Sequence, residues 1–152
     1  MSIHTDIKVP RFKNPYNKGV VNIIYTGHWL VDAMNQALKG VDLTEPQYNV
    51  LSSLYGAGDT PLNVSQLQQR MVQKSSNVTR IIDKLLRKNL VDRQICPENR
   101  RKVNISITDE GKNLFRLARE QVWTSQSQTE HRLSDEELDL LSALLDKLRD
   151  SE

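Results

Sequence analysis

The stretch Asn63–Leu90, NVSQLQQRMVQKSSNVTRIIDKLLRKNL, decides the fold class. Asn63 with Gln66 at the third helical position is a capping box, and Leu62 and Leu67 are spaced as a hydrophobic staple. A short helix is therefore predicted from about Val64 to Met71, followed by a turn of three or four residues with Ser75 or Ser76 as the next N-cap. The helix after the turn carries Val78, Ile81, Ile82, Leu85 and Leu86 on one face, at steps of 3, 4, 7 and 8. Asn89 stands where the C′ residue belongs, and Leu90 follows as its apolar C″ contact. The period then changes from helical to two. Lys102–Ile107 alternates strictly, which reads as a half-buried strand, with Leu90–Cys96 as its antiparallel mate and Pro97–Arg101 as a polar tip. Short helix, turn, longer helix and hairpin make a winged helix-turn-helix.

Outward from this core the chain is helical. Residues 1–18, with Pro10 and Pro15 and little apolar periodicity, read as an extended arm. Val20, Ile23, Ile24, Val31, Met34 and Leu38 step at helical spacing from about Tyr16 to Lys39, where Gly40 supplies a stop. Thr44 to Gln47 is a second capping box, with Leu43 and Tyr48 as its staple, and its helix runs to about Tyr55. Beyond Thr108–Gly111 a long helix carries Leu114, Leu117, Ala118 and Val122, and loses its apolar face after Trp123 near a joint. Ser134–Glu137 caps a last helix with Leu138, Leu141, Leu144, Leu145 and Leu148, too apolar to be buried easily within one chain. The expected fold is mainly α, one domain over 1–152. It divides into an arm and first long helix (1–42), a winged-helix lobe with one β-hairpin wing (43–111) and C-terminal helices (112–152).

Bulk composition excludes several classes. With 38% hydrophobic and 26% charged residues the chain is a globular one. Its single cysteine rules out an internal disulfide framework. The longest apolar run is too short to cross a membrane, and the first residues lack a basic start followed by an apolar stretch, so a cytoplasmic location is expected. His4, His28 and His131 lie far apart, and there is no metal-ligand spacing, Gly-rich phosphate loop or nucleophile elbow. No metal, cofactor or enzymatic activity is therefore expected.

The net charge of +2 argues for nothing until it is divided. Residues 1–62 sum to 0, residues 63–111 to +5 and residues 112–152 to −3. The excess lies on the polar face of the second helix, at Asn77, Arg80, Lys84, Arg87 and Lys88, and on the hairpin, at Arg93, Arg100, Arg101 and Lys102. A basic helix face is ordinarily solvated surface. Here it coincides with a turn of suitable spacing and with a basic hairpin tip, which makes it the electrostatic footprint of a polyanion.

The stretch from Leu43 to Gly111 resembles the MarR family of bacterial transcription regulators. The resemblance rests on Leu43–Leu51, on Ser76-Asn77-Val78-Thr79-Arg80-Ile81-Ile82-Asp83-Lys84-Leu85, on Leu90–Arg93 and on the wing Pro97–Val103, with Thr108-Asp109-Glu110-Gly111 after it. Asn99 stands where the family usually has Asp, which commonly pairs with an arginine and stiffens the wing, so a more mobile wing is expected. Asn89 stands where the helix exit usually has Gly, and Asn tolerates the left-handed conformation. The resemblance implies an obligate homodimer, with dimerisation helices in 1–42 and 112–152, that presents two recognition helices to a pseudo-palindromic operator in double-stranded DNA. By likeness, Ser75, Ser76, Asn77 and Arg80 read bases, Lys74, Lys84 and Arg87 contact phosphates, and Arg100 or Arg101 enters the minor groove.

Two further features bear on regulation. Tyr25, His28 and Trp29 on the first long helix, with Tyr48 and Tyr55 on the next, are candidates to line a pocket for a small-molecule effector, against the plainer reading that they pack. Cys96, near Arg93 and Arg100, reads as an incidental surface thiol rather than a redox sensor. The function expected is sequence-specific DNA binding, as a ligand- or stress-responsive repressor. The rival is a winged-helix protein-interaction module that binds no DNA, against which the basic helix face speaks.

Overall fold

A computed structural model describes residues 2–74, 76–96 and 99–150, with the side chains of Cys96 and Asn99 to Lys102 outside the description. The elements are α1 (Ile3–Asp6), α2 (Pro15–Leu38), α3 (Glu45–Gly56), β1 (Leu62–Asn63), α4 (Val64–Arg70), α5 (Val78–Arg87), β2 (Val91–Cys96), β3 (Asn99–Ile107), α6 (Asp109–Glu130) and α7 (Asp135–Arg149). Helices dominate, and one small antiparallel sheet has the order β1-β3-β2. Among the described residues, no helix is long and apolar enough to cross a membrane.

The N-terminal residues are not a uniformly extended arm. Ile3–Asp6 forms one helical turn, Ile3 is buried, and the His4 ring meets the edge of Phe12 at 4.8 Å. Pro15 begins α2 rather than blocking it, because the first helical position needs no N–H donor; Asn14 caps it by accepting the Asn17 N–H at 2.8 Å. α2 ends at Leu38, within a residue of the expected end before Gly40. A single 3-10 turn, Lys39–Val41, carries the chain past it to Asp42, which takes the left-handed conformation at φ 50°. A carboxamide or carboxylate side chain tolerates that conformation best after glycine.

The capped helices form as their boxes predict. Gln47 Oε1 accepts the Thr44 N–H at 3.0 Å, Asn63 and Gln66 exchange bonds of 2.9 Å, and Ser134 and Glu137 exchange bonds of 2.9 and 3.3 Å. The polar run Thr124–Thr129 stays helical, and the joint falls after Glu130.

One core gathers the end of α2, α3, α4, α5, the sheet and the first half of α6, around Leu38, Leu51, Leu54, Leu67, Leu85 and Ile105. The sheet faces it through Leu62, Val91, Ile105 and Ile107, with Leu62 opposite Ile105 and Val91 opposite Ile107. β1 is only two residues long, too short to show a period, and exists because β3 offers it an edge. Outside this lobe the helices are poorly covered. α7 has no buried residue, with Leu141 and Leu144 at 45% and 55% exposure, and α2 leaves Ile23, Ile24, Leu30 and Val31 exposed.

Candidate nucleic-acid interface

The interface is built on the exit and entry of α5. At its exit, Asn89 takes φ 55°, its N–H donates to Leu86 O at 3.0 Å, and the Leu90 N–H donates to Leu85 O at 3.0 Å. That is a Schellman motif, and it turns the chain directly into β2. The segment Thr108–Gly111 locks the turn. Thr108 donates its hydroxyl to Asn89 O at 2.8 Å and its N–H to Leu90 O at 3.1 Å, and its Oγ1 caps α6 by accepting the Gly111 N–H at 2.9 Å. Gly111 must lack a side chain, because a Cβ there would lie 2.1 Å from Leu90 O and 2.8 Å from Ile107 Cγ1. The end of α5, the start of β2 and the start of α6 therefore meet at one closely packed point.

At the entry, the turn is longer than expected, Met71 to Asn77 rather than three or four residues. Met71 is extended and 1% exposed, so α4 ends one residue early to anchor this side chain in the core. Gln68 Nε2 donates to Lys74 O at 2.8 Å, and Lys74 Nζ donates to Gln69 O at 2.6 Å, which folds the turn back on the end of α4. Asn77, not Ser75 or Ser76, caps α5, with Oδ1 accepting the Arg80 N–H at 3.1 Å. Ser75 lies outside the described residues, and Ser76 is half-buried with its N–H on Gln73 O at 3.1 Å.

Along α5, Val78, Ile82 and Leu85 are buried, while Arg80, Lys84 and Arg87 are exposed on the other face. Among the described residues these three have no carboxylate partner within 4.0 Å. Arg93 on β2 is less free: its Nη1 lies 3.8 Å from Asp83 Oδ1, both about half exposed. A pair this long and wet contributes little stability, but it aims Arg93 at α5. Backbone pairing carries β3 from Asn99, so Arg100, Arg101 and Lys102 lie on the wing strand, with their side chains outside the description. Thr79, exposed beside Arg80, was missed by sequence reasoning. It lines a groove of about 530 Å³ with Ser65, Gln66 and Arg93. Its position in the first turn of a helix with a buried opposite face is the signal that could have found it.

The five aromatic and histidine candidates for an effector pocket are not brought together within one chain. Tyr25, His28 and Trp29 are exposed on α2, whereas Tyr48 and Tyr55 pack on Phe115 at 5.3 and 4.8 Å. Burial raises the Tyr48 hydroxyl pKa above its ordinary value, against the pull of the Arg119 charge. These two tyrosines serve the core.

Residues 43–103 match the MarR family. The HTH-type transcriptional regulator YhbI of Bacillus subtilis is 36% identical over 81 residues, 53% of this chain and 51% of that protein. The HTH-type transcriptional repressor MdtR, also of Bacillus subtilis, is 38% identical over 78 residues, 51% of this chain and 49% of that protein. The chain thus spans about half the length of these relatives. A mutant of Escherichia coli MarR, solved in complex with operator DNA, superposes with a TM-score of 0.76 at 21% identity, covering 99% of this chain and all of that one. At that identity the likeness shows the fold. In sequence the winged helix-turn-helix lobe, residues 43–103, is similar to the MarR family, and in fold nearly the whole chain is similar to a solved MarR protein.

Proposed function

We propose that the protein is a transcription regulator that binds double-stranded DNA sequence-specifically as a homodimer, acting in the cytoplasm as a repressor on a pseudo-palindromic operator and released by a small ligand or a stress signal. The observation that carries this reading is the exposed row Arg80, Lys84 and Arg87 on α5, with no carboxylate within 4.0 Å among the described residues, opposite an apolar face. A helix so divided fits the major groove, where its first turn meets base edges and its flanks meet phosphates. Ser76, Asn77 and Arg80 are assigned to bases, with Ser75 beside them. Lys74, Lys84 and Arg87 are assigned to phosphates, and Arg93, Arg100, Arg101 and Lys102 to the wing contact. Asn77 spends its Oδ1 on the helix, so only its amide N–H groups face DNA.

The dimer reading rests on the open leucines of α7 and the open apolar residues of α2, which a second copy would cover. The repressor reading draws on relatives named as transcription regulators, one of them as a repressor, and none as an enzyme. Release by a ligand would follow from population shift: a ligand that favours one separation of the two α5 helices disfavours another half-site spacing. A gel shift with salt titration tests the DNA reading. Log affinity should fall linearly with log salt, by about 0.9 for each phosphate neutralised. Binding that is absent, or indifferent to salt, overturns it.

A further inference from the structure

A basic cleft lies apart from the first turn of α5. It lies between the 3-10 turn after α2, the start of α3 and the C-terminal half of α5, with a volume of about 600 Å³. Lys39, Lys84, Arg87 and Lys88 line it, with Asp42 as its one carboxylate. That carboxylate is taken: Lys88 Nζ donates to Asp42 Oδ2 at 2.8 Å. Lys39, Lys84 and Arg87 have no carboxylate within 4.0 Å among the described residues. Gln47 also lines the cleft, although it is only 5% exposed. Its Oε1 is held by the Thr44 N–H at 3.0 Å, and its amide nitrogen has no acceptor among the described residues. The cleft therefore combines three cations that have no carboxylate partner among the described residues with a positioned amide donor that reaches the cleft surface, inside the size range of small-molecule sites.

We propose that this cleft binds a small polyanion, a molecule with two or more negative charges carried on oxygens. Lys39, Lys84 and Arg87 supply the charge, and the Gln47 amide supplies direction. Occupancy draws Lys84 and Arg87 toward the ligand and competes with Asp42 for Lys88. The cations on the second half of α5 are then no longer free for DNA phosphates, so anion and DNA oppose each other's binding, and by linkage to the same extent. This consequence rests on the DNA-binding reading above; the anion site itself does not.

The test is calorimetric titration of the full chain with citrate and, separately, with pyrophosphate, at constant ionic strength held with KCl. Saturable binding of one anion per chain is expected for at least one of the two, and which one binds assigns carboxylate or phosphate chemistry. Lys39→Gln should weaken that binding about tenfold, as expected for one lost charge-assisted hydrogen bond, and leave DNA affinity without the anion unchanged. In the gel shift, the anion should release DNA from the wild type, and about tenfold more should be needed for Lys39→Gln. The site is refuted if neither anion saturates, or if Lys39→Gln binds as the wild type does. Anion binding with no effect on DNA refutes the competition. Anion binding by a chain that never binds DNA refutes the DNA reading and leaves the site standing.

Discussion

Gly111→Ala perturbs the point where α5, β2 and α6 meet. The new methyl carbon would stand 2.1 Å from Leu90 O, 3.0 Å from Leu90 C and 2.8 Å from Ile107 Cγ1. Two of these three atoms belong to backbone, so no rotamer relieves the clash, and α6 must retreat from Leu90 by roughly 1.3 Å or more to reach ordinary contact. That retreat stretches the Thr108 N–H bond to Leu90 O, now 3.1 Å, and the Thr108 hydroxyl bond to Asn89 O, now 2.8 Å. Overpacking of this kind costs about 1–3 kcal/mol and a weakened hydrogen bond about 1 kcal/mol. Alanine in place of glycine inside a helix returns about 0.5–1 kcal/mol. The net loss is about 1–3.5 kcal/mol, or about 2–14 °C in Tm for a chain of this size. Thermal unfolding at fixed protein concentration measures it. Gly40→Ala is the control, since its Cβ would meet only the Gln121 side chain, at 3.6 Å. A Gly111→Ala protein melting within about 2 °C of the wild type would refute the close-approach argument.

Other substitutions separate roles within α5 and outside it. Arg80→Ala should cost about 1–3 kcal/mol on the specific site and much less on random DNA, whereas Lys84→Ala should weaken both alike and reduce the salt slope by about 1; gel shifts on two duplexes distinguish them, and equal losses for Arg80→Ala would remove its base-reading role. Asn77→Ala should cost about 1 kcal/mol of stability through the lost cap. Asn77→Asp should keep the cap, accepting the Arg80 N–H, yet lose DNA affinity because a carboxylate replaces an amide at the groove; unfolding and gel shift together check both halves. Leu141→Glu places a charge on the open face of α7 and should convert a dimer to a monomer in sedimentation, while an unchanged dimer would put the interface elsewhere.

Much of the fold was legible because its signals are local. Capping boxes at Thr44, Asn63 and Ser134, the apolar stripe of α5 and the exit at Asn89 each lie within a few residues, and each formed. The errors came where tertiary contacts chose among local options. Ser75, Ser76 and Asn77 are equally able to cap, and the burial of Val78 fixes the phase that selects Asn77. The spacing predicts no 3-10 turn past Gly40; the ion pair from Lys88, 46 residues away, holds one there, at Asp42. β1 is too short to carry a pattern, and the Tyr48 and Tyr55 rings are occupied by Phe115, some 60 residues on. At the site, the basic row was readable from spacing alone. The links from Arg93 to Asp83 and from Lys74 to the end of α4 were not, because they depend on how a strand and a turn fold back on their helices.

The central claim is that two copies of α5 read DNA from one dimer. Selection of bound duplexes from random DNA by the purified protein tests it most directly. The account predicts an enriched inverted repeat with half-sites about one helical turn apart, lost when Arg80 is replaced by alanine. Recovery of sequences without enrichment, or of a single asymmetric site, would contradict it.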